Sequence, residues 1–270
     1  IRRTVGFRTA EFRDGRFCLN GKKLKVYGVN RHEDYEGKGW ALEPGDDALD
    51  ARWMKAMGAT AVRLAHGAHG QGMLDETDRQ GLMAYVAIPF VNELRDTPEY
   101  RANARQETLE TVAQFRNHPS VIWWDLYNEV YNSEKDIPEG FQEDILEEMR
   151  DLVRKTDPDH PVLGTTSISA KTRLNAIPEQ LCFNVYPGWY GTETMSDWVD
   201  IFLRHNPKFP TFAMTEYGAG GNVDCHESAE VRNRTVCPFH SEEYQTELHL
   251  HDWREIARRD DVWGSFIWNM

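Results

Sequence analysis

The chain has 270 residues, of which 40% are hydrophobic and 28% charged. This length suits one large α/β barrel, and no apolar run approaches the roughly 20 residues that a membrane-spanning helix needs. A net charge of -13 argues against nucleic acid as a partner, because phosphate binding needs a basic surface. We therefore expect neither nucleic acid nor a membrane among its partners.

The four cysteines, Cys18, Cys182, Cys225 and Cys237, are too few and too scattered for a disulfide framework. Free thiols are the default interpretation, although Cys225 and Cys237 flank one polar loop and could pair in an oxidising compartment. The opening stretch IRRTVGFRTAEF has neither an apolar signal core nor a cleavage site. This favours a mature, cytoplasmic or excised chain and leaves the compartment open.

Two dipeptides that suit tight turns, Asp14-Gly15 and Asn20-Gly21, predict β-hairpins at the start of the chain. The pattern then changes to short apolar strands separated by long amphipathic segments. The predicted strands are 24–30, 61–65, 83–88, 120–128, 161–166, 181–186, 210–216 and 263–268. The predicted helices are 46–57, 71–80, 100–116, 140–155, 196–205 and 241–259, with only weak helical character at 170–177.

Strands and helices that alternate in this way predict a parallel (β/α)₈ barrel, because parallel strands need crossover connections. The sequence stops at Met270, just past the eighth strand, so an eighth helix is not represented. We expect a C-terminally truncated barrel from a longer protein, or a barrel closed in another way. An uncovered eighth strand would favour homo-oligomer formation through that face.

In such barrels the active site lies at the C-terminal ends of the strands. Glu129 follows the fourth predicted strand in VIWWDLYNE, and Glu216 ends the seventh in PTFAMTE. Either one alone would be a surface carboxylate at a strand end. Strands four and seven lie across the barrel from each other, so the two carboxylates can meet over one pocket, which is the arrangement that glycoside hydrolysis needs.

Aromatic residues near the strand ends suit the apolar face of a pyranose ring. Trp123 and Trp124 point opposite ways in a strand, so at least one of them belongs to the core. Trp189, Tyr190 and Trp268 are further candidates for sugar contacts, and Trp268 is the better candidate for the pocket. His32, His66 and His69 invite a metal interpretation, but HGAHG offers only H-x-x-H on a loop, so we expect no metal site and no cofactor.

The segments GVNRHED, AVRLAHG, FRNHPSVIWWDLYNE, NVYPGWY, TEYGAGG and GSFIWNM occur in an order that resembles the catalytic barrel of glycoside hydrolase family 2. The resemblance implies that residues 1–12 end a preceding immunoglobulin-like domain and that residues 13–270 form the barrel. It also implies companion β-domains in the full-length protein. Some relatives carry a magnesium site after strand three, but PFVNEL has Val91 and Glu93 at those positions.

The resemblance also implies roles for individual residues. Glu129 would be the general acid/base and Glu216 the nucleophile of a retaining double displacement. The implied substrate contacts are Asn128 to the 2-hydroxyl, Tyr186 to the nucleophile, Arg63, His32 and His66 as a polar wall, and Trp189 and Trp268 as aromatic contacts.

The expected substrate is a terminal β-D-galactoside, because the segment around His226 looks like the galactosidase branch and this histidine could donate to a neutral hydroxyl. Asn206-Pro207-Lys208 has the letters of a glucuronidase motif, but it precedes strand seven and is interpreted as a solvated loop. The alternatives are a β-glucuronidase of the same family and a carbohydrate-binding barrel fragment with little turnover.

Overall fold

The computed structural model describes residues 5–131, 138–227 and 240–270. Eight parallel strands form a closed barrel, which confirms the predicted (β/α)₈ architecture. All eight predicted strands are present, with ends that differ by no more than two residues. In chain order the barrel strands are β4 (Val26–Arg31), β5 (Ala61–Leu64), β6 (Met83–Ala87), β7 (Val121–Asn128), β8 (Val162–Thr166), β9 (Gln180–Asn184), β10 (Phe212–Glu216) and β11 (Val262–Ile267).

Six α-helices connect these strands in the described residues, as the sequence predicts. The fifth connection contains only a 3₁₀ turn, Leu174–Ala176, which agrees with its weak helical pattern. Side-chain caps fix several helix starts: the hydroxyls of Thr97 and Ser241 accept hydrogen bonds from first-turn amides. The helices are α1 (Pro44–Ala56), α2 (Gln71–Gln80), α3 (Pro98–Phe115), α4 (Phe141–Thr156), α5 (Met195–His205) and α6 (Glu242–Arg258).

A small antiparallel sheet precedes the barrel and consists of β1 (Ala10–Arg13), β2 (Arg16–Leu19) and β3 (Lys22–Lys23). Its two turns hold Asp14, Gly15, Asn20 and Gly21 at positive φ, which explains the turn residues there. The boundary between residues 12 and 13 falls inside β1, which pairs with β2. The assignment of residues 1–12 to a preceding domain stays a prediction.

The β2 strand closes the N-terminal end of the barrel with an aromatic plug. The Phe17 ring centroid lies 4.7 Å from that of Trp123 and 6.0 Å from that of Trp263, and these side chains are buried. Trp124 points outward, where its Nε1 donates to Asp157 at 3.0 Å. Both tryptophans of the pair are therefore core residues, which confirms the prediction that at least one would be.

Strands β7 and β10 each contain a register irregularity shortly before a candidate catalytic residue, Glu129 after β7 and Glu216 at the end of β10. Two register steps of β8 match three of β7 between Asp125 and Asn128, and two steps of β10 match one of β9 between Met214 and Glu216. An extra residue of this kind is a β-bulge, which changes the direction of the side chains that follow it. Both candidate catalytic strands therefore re-aim their last residues.

No helix of the described residues is long and apolar enough to cross a bilayer. Cys18 and Cys182 are buried free thiols. The alternative that Cys225 pairs with Cys237 lies outside the described residues, because position 237 is not among them.

Candidate active site

A pocket of about 760 Å³ opens at the C-terminal ends of the barrel strands. It contains both candidate catalytic residues, Glu129 and Glu216. The side chains around it come from the ends of β7, β8, β9, β10 and β11 and from the start of α5. The lining residues are Glu129, Ser167, Asn184, Val185, Tyr186, Tyr190, Gly191, Thr192, Glu193, Trp198, Glu216 and Trp268.

Glu216 is held by two groups, one on each carboxylate oxygen. Arg63 Nη1 donates to its Oε1 at 2.8 Å, and the Tyr186 hydroxyl donates to its Oε2 at 2.6 Å. His66 Nε2 lies 3.5 Å from the same Oε1. Charge-assisted hydrogen bonds from an arginine favour the ionised form of a carboxylate. The geometry therefore fixes the position of the Glu216 carboxylate between two donors.

Arg63 lies beneath the pocket and is fully buried. Its Nε donates to Asp125 at 2.8 Å and its Nη2 to the side-chain oxygen of Asn128 at 2.7 Å, in addition to the bond to Glu216. Burial alone would lower the pKa of Arg63, but the carboxylates of Asp125 and Glu216 outweigh it and raise that pKa above its usual value. A permanent cation thus connects the barrel interior with the pocket floor.

Glu129 stands on a backbone with φ of 50°, in the left-handed region that a residue with a Cβ rarely adopts. Its amide donates to the Thr165 carbonyl at 2.8 Å, which fixes this conformation. Its Oε1 accepts from Asn184 Nδ2 at 2.9 Å. Burial, with a smaller contribution from the charge of Glu216, raises the pKa of Glu129, while the Asn184 bond opposes this. A raised pKa suits a proton donor.

The two candidate carboxylates therefore lie in different electrostatic surroundings. Glu216 contacts a buried arginine, whereas Glu129 contacts a neutral amide. Pairs of carboxylates with such different surroundings divide the acid and nucleophile roles of glycosidases.

Asn128 and Asn184 link the two carboxylates through a chain of amides. The Asn128 side-chain oxygen accepts from Arg63 and, at 3.1 Å, from Asn184. The Asn184 oxygen in turn accepts from the Thr215 hydroxyl at 2.8 Å. Because its oxygen is already used twice, Asn128 can offer only its amide nitrogen to a ligand, as a donor to a hydroxyl.

His32, His66 and Trp268 form an aromatic cluster opposite β7 to β9. His66 stacks on Trp268 with ring centroids 5.2 Å apart, and His32 meets both rings edge-on. Burial and the nearby Arg63 lower the pKa of His66 to about 2, so this ring is neutral. The cluster offers a sugar one aromatic face and two imidazole rings, of which that of His66 is neutral. Two cis peptide bonds, Ala65–His66 and Trp268–Asn269, occur here.

Three residues that the sequence analysis discussed lie elsewhere. Trp189 packs edge-on against His240, with ring centroids 4.4 Å apart, and it is not among the described residues that line the pocket. His226, on which the galactoside expectation depended, is exposed and its Nδ1 lies 3.0 Å from a Glu243 oxygen. Lys208 lies on an exposed loop, where its ammonium donates to the Ala176 carbonyl at 2.7 Å.

Three residues at the site escaped the sequence reasoning. Asn184 and Asp125 lie within predicted strands, where a polar residue in an apolar run was the available signal. Trp198 lies in α5 and was interpreted as part of a helix. Each could have been found by asking which polar or aromatic residues point into the barrel or over its mouth.

One group of side chains in the described residues has the spacing of a metal site: Asp75, Asp78 and His118. It lies on α2 and the segment before β7, away from the pocket. Both His118 nitrogens already meet protein groups, Asp78 and Gln71. The expectation of no metal cofactor stays a prediction.

A (β/α)₈ barrel with two differently held carboxylates at its mouth is the architecture of a glycoside hydrolase. Residues 10–270 match the family described as glycosyl hydrolases family 2, TIM barrel domain. The chain belongs to this family. Among curated relatives, a β-glucuronidase of Bacteroides fragilis is 35% identical over 268 residues, which cover 95% of this chain and 37% of the relative.

Solved structures agree with this placement. A crystal structure of a putative β-galactosidase from Bacteroides fragilis is 31% identical, with a TM-score of 0.85, and the match covers 98% of this chain and 39% of that one. A family 2 β-galacturonidase from Eisenbergiella tayi, bound to galacturonate, is 25% identical with a TM-score of 0.87, over 98% and 47% of the two chains. The chain therefore spans less than half the length of these relatives, whose remaining length provides room for companion domains.

Proposed function

We propose that this chain is the catalytic barrel of a retaining, exo-acting β-glucuronidase. The observation that carries the catalytic assignment is the contrast between the two pocket carboxylates. Glu216 is bonded to Arg63 and Tyr186, whereas the Glu129 carboxylate is bonded to the Asn184 amide alone among the described residues and has a raised pKa. This contrast supports Glu216 as the nucleophile and Glu129 as the acid/base.

In the first step, Glu216 attacks the anomeric carbon and forms an ester with the sugar. The bond from that carbon to the glycosidic oxygen breaks, and Glu129 gives its proton to the departing oxygen. Glu216 loses its negative charge as the ester forms. Arg63 and Tyr186 donate hydrogen bonds to its two oxygens and hold the group in place during this step. Asn128 can donate to the sugar's 2-hydroxyl in this step.

In the second step, Glu129 is an anion and takes a proton from water. The water oxygen attacks the anomeric carbon, the ester bond breaks, and Glu216 is released as a carboxylate. Two inversions at one carbon give net retention. The neutral His66 and the Trp268 face would hold the ring in both steps without adding charge.

The choice of sugar depends on the relatives more than on the pocket. The Bacteroides fragilis relative with 35% identity is a β-glucuronidase, and this favours a glucuronide over the galactoside expected from the sequence. The argument for a galactoside is also weaker, because His226, which was expected to contact the sugar, is exposed and lies against Glu243.

A β-galactosidase remains the second candidate, because of one property of the pocket. Its described lining residues include three carboxylates and neither lysine nor arginine. The carboxylate of a glucuronide needs a cation or several donors, since a buried unpaired charge costs several kcal/mol. That partner would have to come from outside the described lining residues.

The test is hydrolysis of matched 4-nitrophenyl β-glucuronide and β-galactoside by the complete protein. We expect kcat/KM for the glucuronide to exceed that for the galactoside at least tenfold. A tenfold preference for the galactoside would overturn the substrate choice and leave the catalytic residues untouched. Proton NMR of the first-formed sugar should show the β-anomer, and an initial α-anomer would overturn the retaining mechanism.

A 2-deoxy-2-fluoro-β-glucuronyl fluoride probe tests the nucleophile directly, because it forms the ester and releases it slowly. We expect the label on the peptide that contains Glu216. Glu129→Ala should still be labelled by this activated fluoride, since fluoride leaves without an acid. A label on Glu129 would contradict the assignment.

A further inference from the structure

One wall of the pocket has no part in the mechanism above. It consists of Ser167 after β8, the segment from Tyr190 to Glu193 after β9, and Trp198 in α5. This wall lies beside Glu129, because Asn184 at the end of β9 holds the Glu129 carboxylate. The aromatic cluster of His32, His66 and Trp268 belongs to β4, β5 and β11 on the other side of the barrel.

The two walls therefore face different parts of a glycoside. The group attached to the glycosidic oxygen lies on the side of the acid that protonates it, and here that side is the wall after β8 and β9. A pocket of about 760 Å³ falls within the range of clefts that hold drug-sized ligands, so it has room for more than one sugar ring.

Two residues of this second wall are aromatic, Tyr190 and Trp198. Tyr190 is 73% exposed, and its ring centroid lies 5.5 Å from that of Tyr186. One side of the Trp198 ring packs against Phe183, with 6.2 Å between the ring centroids, and another side borders the pocket. Flat rings that border a cleft, one exposed and one half-buried, are suited to stack on a planar ligand.

The backbone holds Tyr190 in place. The amides of Trp189 and Tyr190 both donate to the Tyr186 carbonyl, at 3.1 and 3.0 Å, and the Gly188 amide donates to the Gly191 carbonyl at 2.9 Å. The Tyr244 hydroxyl of α6 donates to the Gly188 carbonyl at 2.6 Å. This turn is therefore tied to the barrel, and a ring presented on it costs little ordering on binding.

Glu193 adds a negative charge at the rim. Its Oε2 lies only 2.5 Å from where a Cβ on Gly191 would stand, so the carboxylate lies directly over that glycine. It forms no hydrogen bond or ion pair with the residues that the structure describes. No described cation lines the pocket, so the Glu193 carboxylate at this rim attracts a positive group.

We propose that this wall is an aglycone subsite for planar aromatic groups that carry a cation or hydrogen-bond donor. Tyr190 and Trp198 are the stacking surfaces, and Glu193 recognises the charge of the aglycone. The inference rests on the proposed glycosidase function and adds the class of leaving group to it. Glu193 is a specificity residue here, and it takes no part in bond breaking.

The test keeps the sugar constant and varies one substituent of a phenol. The aglycones are 4-(2-aminoethyl)phenol, 4-ethylphenol and 4-(2-carboxyethyl)phenol, which share a ring and differ mainly in the remote charge. We expect kcat/KM for the cationic glycoside to exceed that for the anionic one about fivefold, the size expected for an exposed charge pair. Both glucuronides and galactosides are assayed, so the result does not depend on the choice of sugar.

Glu193→Gln should bring the cation-to-anion ratio to within about twofold of unity. Gly191→Ala should lower the same ratio, because the new methyl group displaces the Glu193 carboxylate. Glu147→Gln, on the exposed face of α4, makes the same change of charge far from the pocket and should keep the wild-type ratio. If the wild type and all three variants give the same ratio, Glu193 does not recognise the charge of the aglycone.

Trp198→Ala and Tyr190→Ala test the stacking surfaces against a substrate that has no aglycone ring, the glycosyl fluoride. We expect kcat/KM for 4-ethylphenyl glycosides, divided by that for the fluoride, to fall about tenfold. An unchanged quotient would overturn the aromatic subsite. If the wild-type protein hydrolyses neither glucuronyl nor galactosyl fluoride, the glycosidase function itself fails, and the subsite fails with it.

Discussion

The two ends of the barrel interior are filled by opposite kinds of side chain. At the N-terminal end, Phe17, Trp123 and Trp263 form an aromatic plug. At the C-terminal end, Arg63 joins Asp125, Asn128 and Glu216 in a buried polar network. The apolar end stabilises the barrel without chemistry, whereas the polar end commits buried charges to hold one carboxylate in place.

This contrast predicts that substitutions at the two ends fail in different ways. A substitution at the polar end should abolish catalysis, whether or not it also lowers the free energy of unfolding. A change in the aromatic plug should reduce stability and spare the chemistry of the molecules that remain folded.

The largest effect is expected for Glu216→Ala, which removes the proposed nucleophile. Because no ester can form, kcat should fall on the order of 10⁴-fold or more, even for activated aryl glycosides. Stopped assays with 2,4-dinitrophenyl glycosides measure this loss. A fall of less than a hundredfold would mean that another group attacks the sugar.

Arg63→Ala should remove both activity and stability. It leaves Asp125 and Glu216 buried near each other without their cation, which costs roughly 3–5 kcal/mol in the free energy of unfolding. Urea denaturation measures this change. Arg105→Ala, which breaks a surface pair with Glu148, is the matched control and should stay within about 1 kcal/mol of the wild type. Equal losses in the two variants would contradict the proposed role of the buried network.

Trp123→Ala tests the aromatic plug. Removing this fully buried ring should lower the free energy of unfolding by roughly 3–5 kcal/mol, as large-to-small core changes do. At a temperature where the variant is folded, kcat/KM should stay within about threefold of the wild type, which is less than about 1 kcal/mol in the barrier. A catalytic loss as large as that of Arg63→Ala would show that the two ends are not separable.

The smallest effect concerns the stability cost of ionising Glu129. Its pKa is raised in the folded chain, mainly by burial, so the folded state binds this proton more tightly than the unfolded state. Folding is therefore penalised as pH rises from the ordinary glutamate pKa, about 4.3, through the raised value. Glu129→Gln should increase Tm at pH 7 and not at pH 4.

The same substitution should also abolish the fall of kcat/KM with alkaline pH for poor leaving groups, because that fall reports loss of the Glu129 proton. Thermal scans and pH profiles measure the two effects. A Tm gain at pH 4 as large as that at pH 7 would assign the gain to something other than the charge.

Much of the barrel could be predicted because β-strands and helices leave different periods in the sequence. All eight parallel strands gave apolar runs, and the missing fifth helix showed as a weak pattern between residues 170 and 177. The positions of Glu129 and Glu216 followed from the rule that strand C-termini meet at one face. These inferences use local sequence and topology only.

The remainder depends on contacts between strands that are distant in sequence. Asn184 touches Glu129 from 55 positions away, and Asp125 reaches Arg63 from 62 positions away. No local pattern reveals such pairs. Trp189 and Trp198 illustrate the same limit. Trp189, in the segment NVYPGWY, packs on His240, whereas Trp198, within α5, borders the pocket.

The β-bulge of β7 makes the spacing along this strand as important as its residues. Trp123 and Asp125 face the barrel interior, Tyr127 packs on the outer side with Trp124 and Leu126, and Asn128 faces inward again. Without the bulge, strict alternation over the three positions from Asp125 to Asn128 would turn Asn128 to the outer face, away from Arg63. Substitutions that straighten this strand at unchanged length should therefore inactivate the enzyme although every catalytic side chain is still encoded. Design and evolution at this strand have to keep the irregular backbone as well as the residues on either side of it.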